Sequence, residues 1–451
     1  MSIVIRNLEE LIRSEIHKDI IEIMLRGLDA ADPVKSVERS IKFSDRGIVV
    51  GNQYLQRVNK VHVIGFGKAS IGMAKGVLNA LSGLIHGGVI IAPKPVAVRN
   101  IGPITVLEGN HPIPGKDTEK ASRELIEYLN NQVAPNDGVL ILISGGGSAL
   151  FEVPANGLSI EDIAIVTKLL LKSGADIKET NTVRKHISSV KGGQLIKYIK
   201  STWIVSLIIS DVVGDPLEFI ASGPTVPDTT TFKDAYEVLK RRGLWNKIPT
   251  TVKSHIEKGL QGKVPETPKP NDPIFNKVIN VLVASNKISL EAMAQESISR
   301  GFKSLILTSY LEGEAREVGK VLASIVLSIR RDGYPSKPPL AILAGGETTV
   351  TVTGKGIGGR NQELCLALAL NLCGVNFVAI CMGSDGIDGI SPAAGAIVDG
   401  EVCKEASEMG IDLSQVLINN DSYTAFSKMK RAIITGYTGT NVNDLLVILI
   451  K

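Results

Sequence analysis

This 451-residue sequence has few aromatics, few cysteines and no strong charge of either sign. Aromatics make up 4% of residues, which leaves little for the stacking platforms that hold single-stranded nucleic acid. Lys and Arg (50) nearly balance Asp and Glu (46), for a net charge of +4. That excludes a broad basic footprint for nucleic acid or anionic membrane, though not a local cationic site for a small anion. No apolar stretch reaches the roughly 18 residues of a membrane span. The N-terminal segment lacks the basic-then-apolar layout of a signal peptide, so a cytoplasmic protein is expected. The four cysteines, Cys365, Cys373, Cys381 and Cys403, show no CxxC or zinc-ligand spacing and read as buried reduced thiols.

Forty-five glycines are present, and several follow short apolar runs. Such runs occur at 61–64, 88–92, 139–143, 204–209, 278–284, 304–307, 340–343 and 377–382. Continuous β-branched runs fit strands buried on both faces of a parallel sheet. Helical patterns at 159–174, 286–300 and 313–331 lie between them, and another opens the chain at 6–30. This alternation predicts doubly wound α/β architecture. Four prolines within 259–277 mark a boundary. The expected division is a first domain over 1–262, a Pro-rich linker at 263–277 and a second domain over 278–451.

Gly65-Phe66-Gly67-Lys68-Ala69-Ser70 follows a strand and opens a helix, where backbone N–H groups can cradle phosphate. A dinucleotide site is disfavoured, because Ser70 replaces the third glycine of GxGxxG. No Asp or Glu occurs from Arg46 to Leu107 to hold a ribose hydroxyl. Lys68 instead puts a cation into the loop. Ser144-Gly145-Gly146-Gly147-Ser148 follows a fully apolar run and can form an anion nest. Arg184 and Lys191, seven apart, would share a helical face, and either suits a carboxylate or phosphate. Asp211 abuts a strand end, where one carboxylate can hold Mg²⁺ or cap the turn.

Glu347 ends another strand beside two glycines. In Gly354-Lys355-Gly356-Ile357-Gly358-Gly359-Arg360, so many glycines imply close backbone approach or positive φ. Arg360 adds a fork of donors for phosphate oxygens. Asp385 and Asp388 stand among glycines after a further strand and suit Mg²⁺ or a hydroxyl proton. Thr438–Asp444 is a polar cluster that reads as a turn.

In this order, GFGKAS (65–70), GNHPIPG (109–115), LISGGGSAL (142–150), NTVRKHISSVKGGQL (181–195), SDVVGDPLEFIASGPT (210–225), GGETTV (345–350), GKGIGGRNQEL (354–364), GSDGIDG (383–389) and TGTNVNDL (438–445) resemble the class II glycerate kinases. The resemblance implies an N-terminal doubly wound, Rossmann-like parallel sheet and a smaller C-terminal α/β MOFRL domain, with the active site in the cleft between them. It implies transfer of the ATP γ-phosphoryl group to the 2-hydroxyl of D-glycerate with Mg²⁺. The family's key lysine and arginine map to Lys68 and Arg360. D-glycerate and ATP would be the partners, with no nucleic acid and no membrane, and a homodimer stays open. A nicotinamide-dependent reductase lacks its ribose acid here.

The residues agree on reaction class, since phosphoryl transfer needs positioning and charge neutralisation. Lys68, Arg360 and Asp211 are the expected catalytic set. Ser144, Gly145, Gly146, Gly147, Ser148, Arg184, Lys191, Gly356, Gly358 and Gly359 are expected to grip substrate and phosphate. Asp211, Glu347, Asp385 and Asp388 form the pool for metal.

Overall fold

A computed structural model describes residues 4–44 and 47–451. Met1–Ile3 of the N-terminal segment and Arg46 lie outside the described residues. The chain divides into two units, residues 33–283 and residues 1–32 with 284–451.

The unit of residues 33–283 is built on a seven-stranded sheet. Its spatial order is Val278–Ala284, Trp203–Ile209, Gly138–Ile143, Val61–Phe66, Ile85–Pro93, Ile104–Gly109 and Asn100–Ile101. The five strands from Trp203–Ile209 to Ile104–Gly109 are parallel to their neighbours, as expected. The strands Val61–Phe66, Gly138–Ile143 and Trp203–Ile209 are buried at every position, which is why they carry apolar runs rather than alternation. Ile64, Phe66, Ile141, Ile143, Ile204 and Ile208 share one core cluster with Leu125 and Leu129 of helix Lys116–Gln132.

The second unit has a six-stranded sheet in the order Lys303–Leu311, Leu340–Gly346, Asp444–Ile450, Val378–Gly383, Gly395–Asp399, Ala432–Ile433. Here the expectation of a parallel sheet is corrected. Only the Lys303–Leu311/Leu340–Gly346 pair is parallel, and every other ladder is antiparallel. The cause is the strand Asp444–Ile450, which runs antiparallel between Leu340–Gly346 and Val378–Gly383. Its side chains alternate between two cores. Leu445, Val447 and Leu449 face one, and Leu446, Ile448 and Ile450 face the other.

The domain boundaries are also corrected. Helix Glu15–Ala30 packs its Ile20, Met24 and Leu28 into the core that holds Leu445, Val447 and Met293. A Cβ on Gly27 would sit 2.7 Å from the Met293 side chain, so these helices approach closely. Residues 1–32 therefore belong with the C-terminal unit. The strand Val278–Ala284 joins the first sheet. The proline-rich stretch is no linker: Thr267 donates to Asp228 at 2.9 Å and the Pro268 carbonyl accepts from Asp228 N–H, which fastens it to the first unit.

The cysteine expectation is half corrected. Cys373 and Cys403 form a disulfide with Cα atoms 5.6 Å apart, whereas Cys365 and Cys381 are free and buried. Among the described residues, no helix is long and apolar enough to cross a membrane.

Candidate active site

In the first unit, chemistry gathers at the carboxyl ends of adjacent parallel strands, the usual ligand position of such sheets. After Val61–Phe66 the chain turns through Gly67 (φ +127°) into helix Ser70–Ala80. After Gly138–Ile143 it turns through Gly146 (φ +80°). The two turns are tied together. Lys68 N–H donates to the Gly145 carbonyl at 2.9 Å, and Ala69 N–H donates to Ser144 Oγ at 3.0 Å. Ser144 is buried, so its hydroxyl joins the loops and is not presented as a nucleophile. A Cβ on Gly67 would lie 2.2 Å from Ser144 Oγ, which leaves glycine alone able to make this approach.

Lys68 is exposed at this junction. A Cβ on Gly146 would touch His111 at 3.0 Å and Lys68 Cγ at 3.3 Å, and one on Gly145 would meet Asp211 Oδ2 at 2.1 Å. Lys68, His111, Asp211 and the bare backbone of Gly145-Gly146 thus converge. Burial, with Lys68 adding to it, lowers the His111 pKa, so its ring is neutral near pH 7. His111 was ambiguous in the sequence, where only the GNHPIPG stretch marked it.

Ser148 Oγ lies 2.8 Å from Ser222 Oγ, which donates to Asn181 Oδ1 at 2.7 Å. Ala221 and Ser222 both hold positive φ, +50° and +63°, a strain that side chains rarely accept. Buried Asn181 Nδ2 finds no partner among the described residues and offers donors to a ligand oxygen.

Two expected contacts are not made as expected. Helix Ile177–His186 ends before Lys191, so Arg184 and Lys191 share no helical face. Lys191 is 1% exposed, donates to the Phe151 carbonyl at 2.8 Å and pairs with buried Glu152 at 3.0 Å. Burial lowers the lysine pKa and raises that of Glu152, against the pull of the pairing. Lys191 is therefore an internal ion-pair partner. Arg184 is partly exposed and acts on the same Glu152.

In the second unit, helix Arg360–Asn371 organises the site. Arg360 donates from Nε to Asp444 Oδ2 at 2.6 Å, from Nη2 to Asp444 Oδ1 at 3.1 Å, and from Nη1 to Glu347 Oε1 at 2.7 Å. These carboxylates raise the arginine pKa further and keep it charged. Burial pushes Asp444 up to about 7, against Arg360's pull, with Asp388 adding to the rise. Asp444 was missed because it closes a stretch that reads as a turn, yet it begins the central strand.

Asp388 is removed from the metal pool. Its Oδ1 accepts from Asn361 N–H and Nδ2, and its Oδ2 from Gln362 N–H and Nε2, all between 2.9 and 3.2 Å. Both oxygens are thus spent on capping the helix that carries Arg360. Asp385 is partly exposed, with Oδ1 accepting from Ile387 N–H. Glu347 is exposed but engaged by Arg360. Among the described residues, no three His, Cys, Asp or Glu side chains form a group able to hold a metal by themselves.

The glycine loop at 354–359 packs closely on residues 419–422 and Asp388. Gly354 N–H donates to Asn420 Oδ1, Gly356 N–H to the Asn419 carbonyl, and Ile357 N–H to Asp421 Oδ1. A Cβ on Gly356, Gly358 or Gly359 would come within 2.3 Å of Asp421, Ser422 or Asp388. On their Cβ side these glycines make room for the chain itself.

A family model described as "Domain of unknown function (DUF4147)" matches residues 19–257, and the MOFRL family model matches residues 340–444. The sequence is 47% identical to the glycerate 2-kinase of Pyrococcus horikoshii, covering 96% of this chain and 98% of that protein. The chain belongs to the class II glycerate kinase family. It is 43% identical to the D-glycerate 2-kinase of Thermotoga maritima, over 92% of this chain and 97% of that one. The crystal structure of the Thermotoga glycerate kinase superposes with a TM-score of 0.86 at 39% identity, covering 97% of this chain and 100% of that chain. Membership in this family explains why the recognisable stretches run from residue 65 to 445, across both units.

Proposed function

We propose that this protein transfers the γ-phosphoryl group of ATP to the 2-hydroxyl of D-glycerate, giving 2-phosphoglycerate and ADP, with Mg²⁺. The observation that carries the reading is the convergence of exposed Lys68, His111 and Asp211 on the bare backbone of Gly145-Gly146. The family relationship supplies the substrate.

Phosphoryl transfer asks a protein to align two oxygens and to neutralise charge between them. Lys68 meets the charge that develops on the transferring group. The Gly145-Gly146 backbone admits an anion closely, and neutral His111 donates a hydrogen bond without adding charge. Asn181 Nδ2 offers a donor to a substrate oxygen. Asp211 orients the attacking hydroxyl and accepts its proton. Arg360, held by Asp444 and Glu347, is the cation the reading takes from the second unit as catalytic. Mg²⁺ commonly binds through one or two carboxylates with substrate phosphates and water. Asp211 and Asp385 have that donor chemistry, whereas Asp388 does not. When bound, the ion neutralises phosphate charge. The reading includes a cytoplasmic enzyme that binds small molecules.

An enolase-coupled assay tests the reading, using D-glycerate, ATP and Mg²⁺ without phosphoglycerate mutase. A rapid signal, matched by ADP formation, supports it. A signal that appears only after mutase is added would reassign the product to the 3-isomer. Absence of ADP would remove the kinase reading.

A further inference from the structure

A cavity of about 720 Å³ lies within the unit of residues 33–283 and shares no lining residue with the cluster around Lys68 and Asp211. Its wall is formed by the end of helix Ile177–His186, residues 155–158, the short helix Gln194–Tyr198, helix Thr250–Leu260 and residues 263–267. The volume is in the usual range of small-molecule sites.

The charge on this wall is one-sided. Lys197, Lys258 and Lys263 stand on three different segments, all exposed; buried Lys185 also lines the wall but is paired with Asp228 and Glu218, and no Asp or Glu lines the cavity. None of the three forms an ion pair or a side-chain hydrogen bond among the described residues. The neighbouring carboxylates are committed elsewhere. Glu266 binds His186, Phe232 N–H and Lys269, and Asp228 binds Lys185, Thr230 and Thr267. Partial burial lowers the Lys197 pKa although the side chain reaches solvent, and Asp272 opposes this only through space.

Between the lysines the wall carries Thr250, Thr251 and Ser254, whose hydroxyls make no side-chain hydrogen bond among the described residues. Phe232, Leu158 and Val264 supply apolar surface. Three like charges around one concavity repel one another, and a multivalent anion relieves that repulsion. The hydroxyls complete its hydrogen bonds. The volume and the apolar side ask for more than an inorganic ion.

We propose that this cavity binds a polyphosphorylated organic anion of nucleoside-diphosphate size, separately from the phosphoryl-transfer site. The proposal does not rest on the kinase reading.

Calorimetric titration of the full chain with ADP, and in parallel with inorganic pyrophosphate, tests it on a Lys68→Ala/Arg360→Ala background. The expected result is one site per chain for each probe, with ADP the tighter. Adding Lys197→Gln, Lys258→Gln and Lys263→Gln should weaken both at least tenfold without moving the ligand-free Tm. Should that combination fold poorly, Lys258→Gln/Lys263→Gln carries the same expectation. Lack of binding at millimolar probe, or binding unmoved by the lysine changes, would overturn the proposal. Binding of pyrophosphate without ADP would overturn its organic part. In otherwise unaltered protein the three lysine changes should leave the KM for ATP within twofold, and a tenfold rise would overturn the separation of the two sites.

Discussion

Arg360 grips both oxygens of Asp444, from Nε at 2.6 Å and from Nη2 at 3.1 Å, and so is fixed in direction by a carboxylate that is itself buried. Asp444 begins the middle strand of its sheet, while Arg360 begins a helix that Asp388 caps. Substitution to Asp444→Asn should lower kcat roughly tenfold or more by loosening this orientation. Because burial pushes Asp444 up to about 7, the grip strengthens as pH rises through that value. Activity of the unaltered enzyme should rise over the same range, and the Asn variant should lose that limb in a kcat–pH profile.

Lys68→Ala should cut turnover by on the order of 10²–10³. Its side chain is exposed and makes no ion pair among the described residues, so the Tm should stay near that of the unaltered protein. Arg360→Ala should cost similar activity but also lower the Tm, since it leaves buried Asp444 without its charged partner, with only Asn361 Nδ2 still donating to it. Comparing melting curves with steady-state rates separates the two.

Gly67→Ala combines an unfavourable φ of +127° with a clash 2.2 Å from Ser144 Oγ. It should destabilise the first unit by about 2–4 kcal/mol and pull the two turns apart. Urea unfolding measures the first effect, and loss of kcat at saturating substrate reports the second.

Glu266 is held down to about 2 by His186, by Phe232 N–H and by Lys269, against the opposing effect of burial. A lowered carboxylate stabilises the fold above its unfolded value near 4.5. That contribution is lost as pH falls through about 2. The side chain is partly exposed, so screening reduces it to about 1–2 kcal/mol. Glu266→Gln should flatten the stability–pH curve in this acid window and change little near neutrality.

The Cys373–Cys403 disulfide joins residues 30 apart. Denatured, unreduced protein should titrate with two thiols per chain, and four would refute the bridge. Reduction, or Cys373→Ser, should lower stability by about 2–4 kcal/mol.

The sequence was enough to place most buried strands and the long helices. Runs such as Leu140–Ile143 and periodic stretches such as Ile160–Lys172 declare themselves through local burial. The strand Asp444–Ile450 is equally apolar, but its importance comes from lying between two strands distant in sequence, which no local pattern shows. In the site, Lys68, Asp211 and Arg360 were visible because charge beside glycine at a strand end or helix start is a local signal. Local pattern cannot say whether such a charge is free. Asp388 and Lys191 look available in the sequence, and the structure spends both inside the protein.

The sequence by itself determined the α/β class, the glycine turns at strand ends, the family and, through it, the expected chemistry. These depend on residue type and near-neighbour spacing. Only the tertiary structure decided that residues 1–32 pack with the C-terminal sheet, that Val278–Ala284 completes the first, and that the glycines of 354–359 yield to residues 419–422 and Asp388. It alone decided that Asp444 holds Arg360. Those outcomes depend on which distant side chains compete for the same donors and the same buried space, and no short stretch of sequence carries that competition.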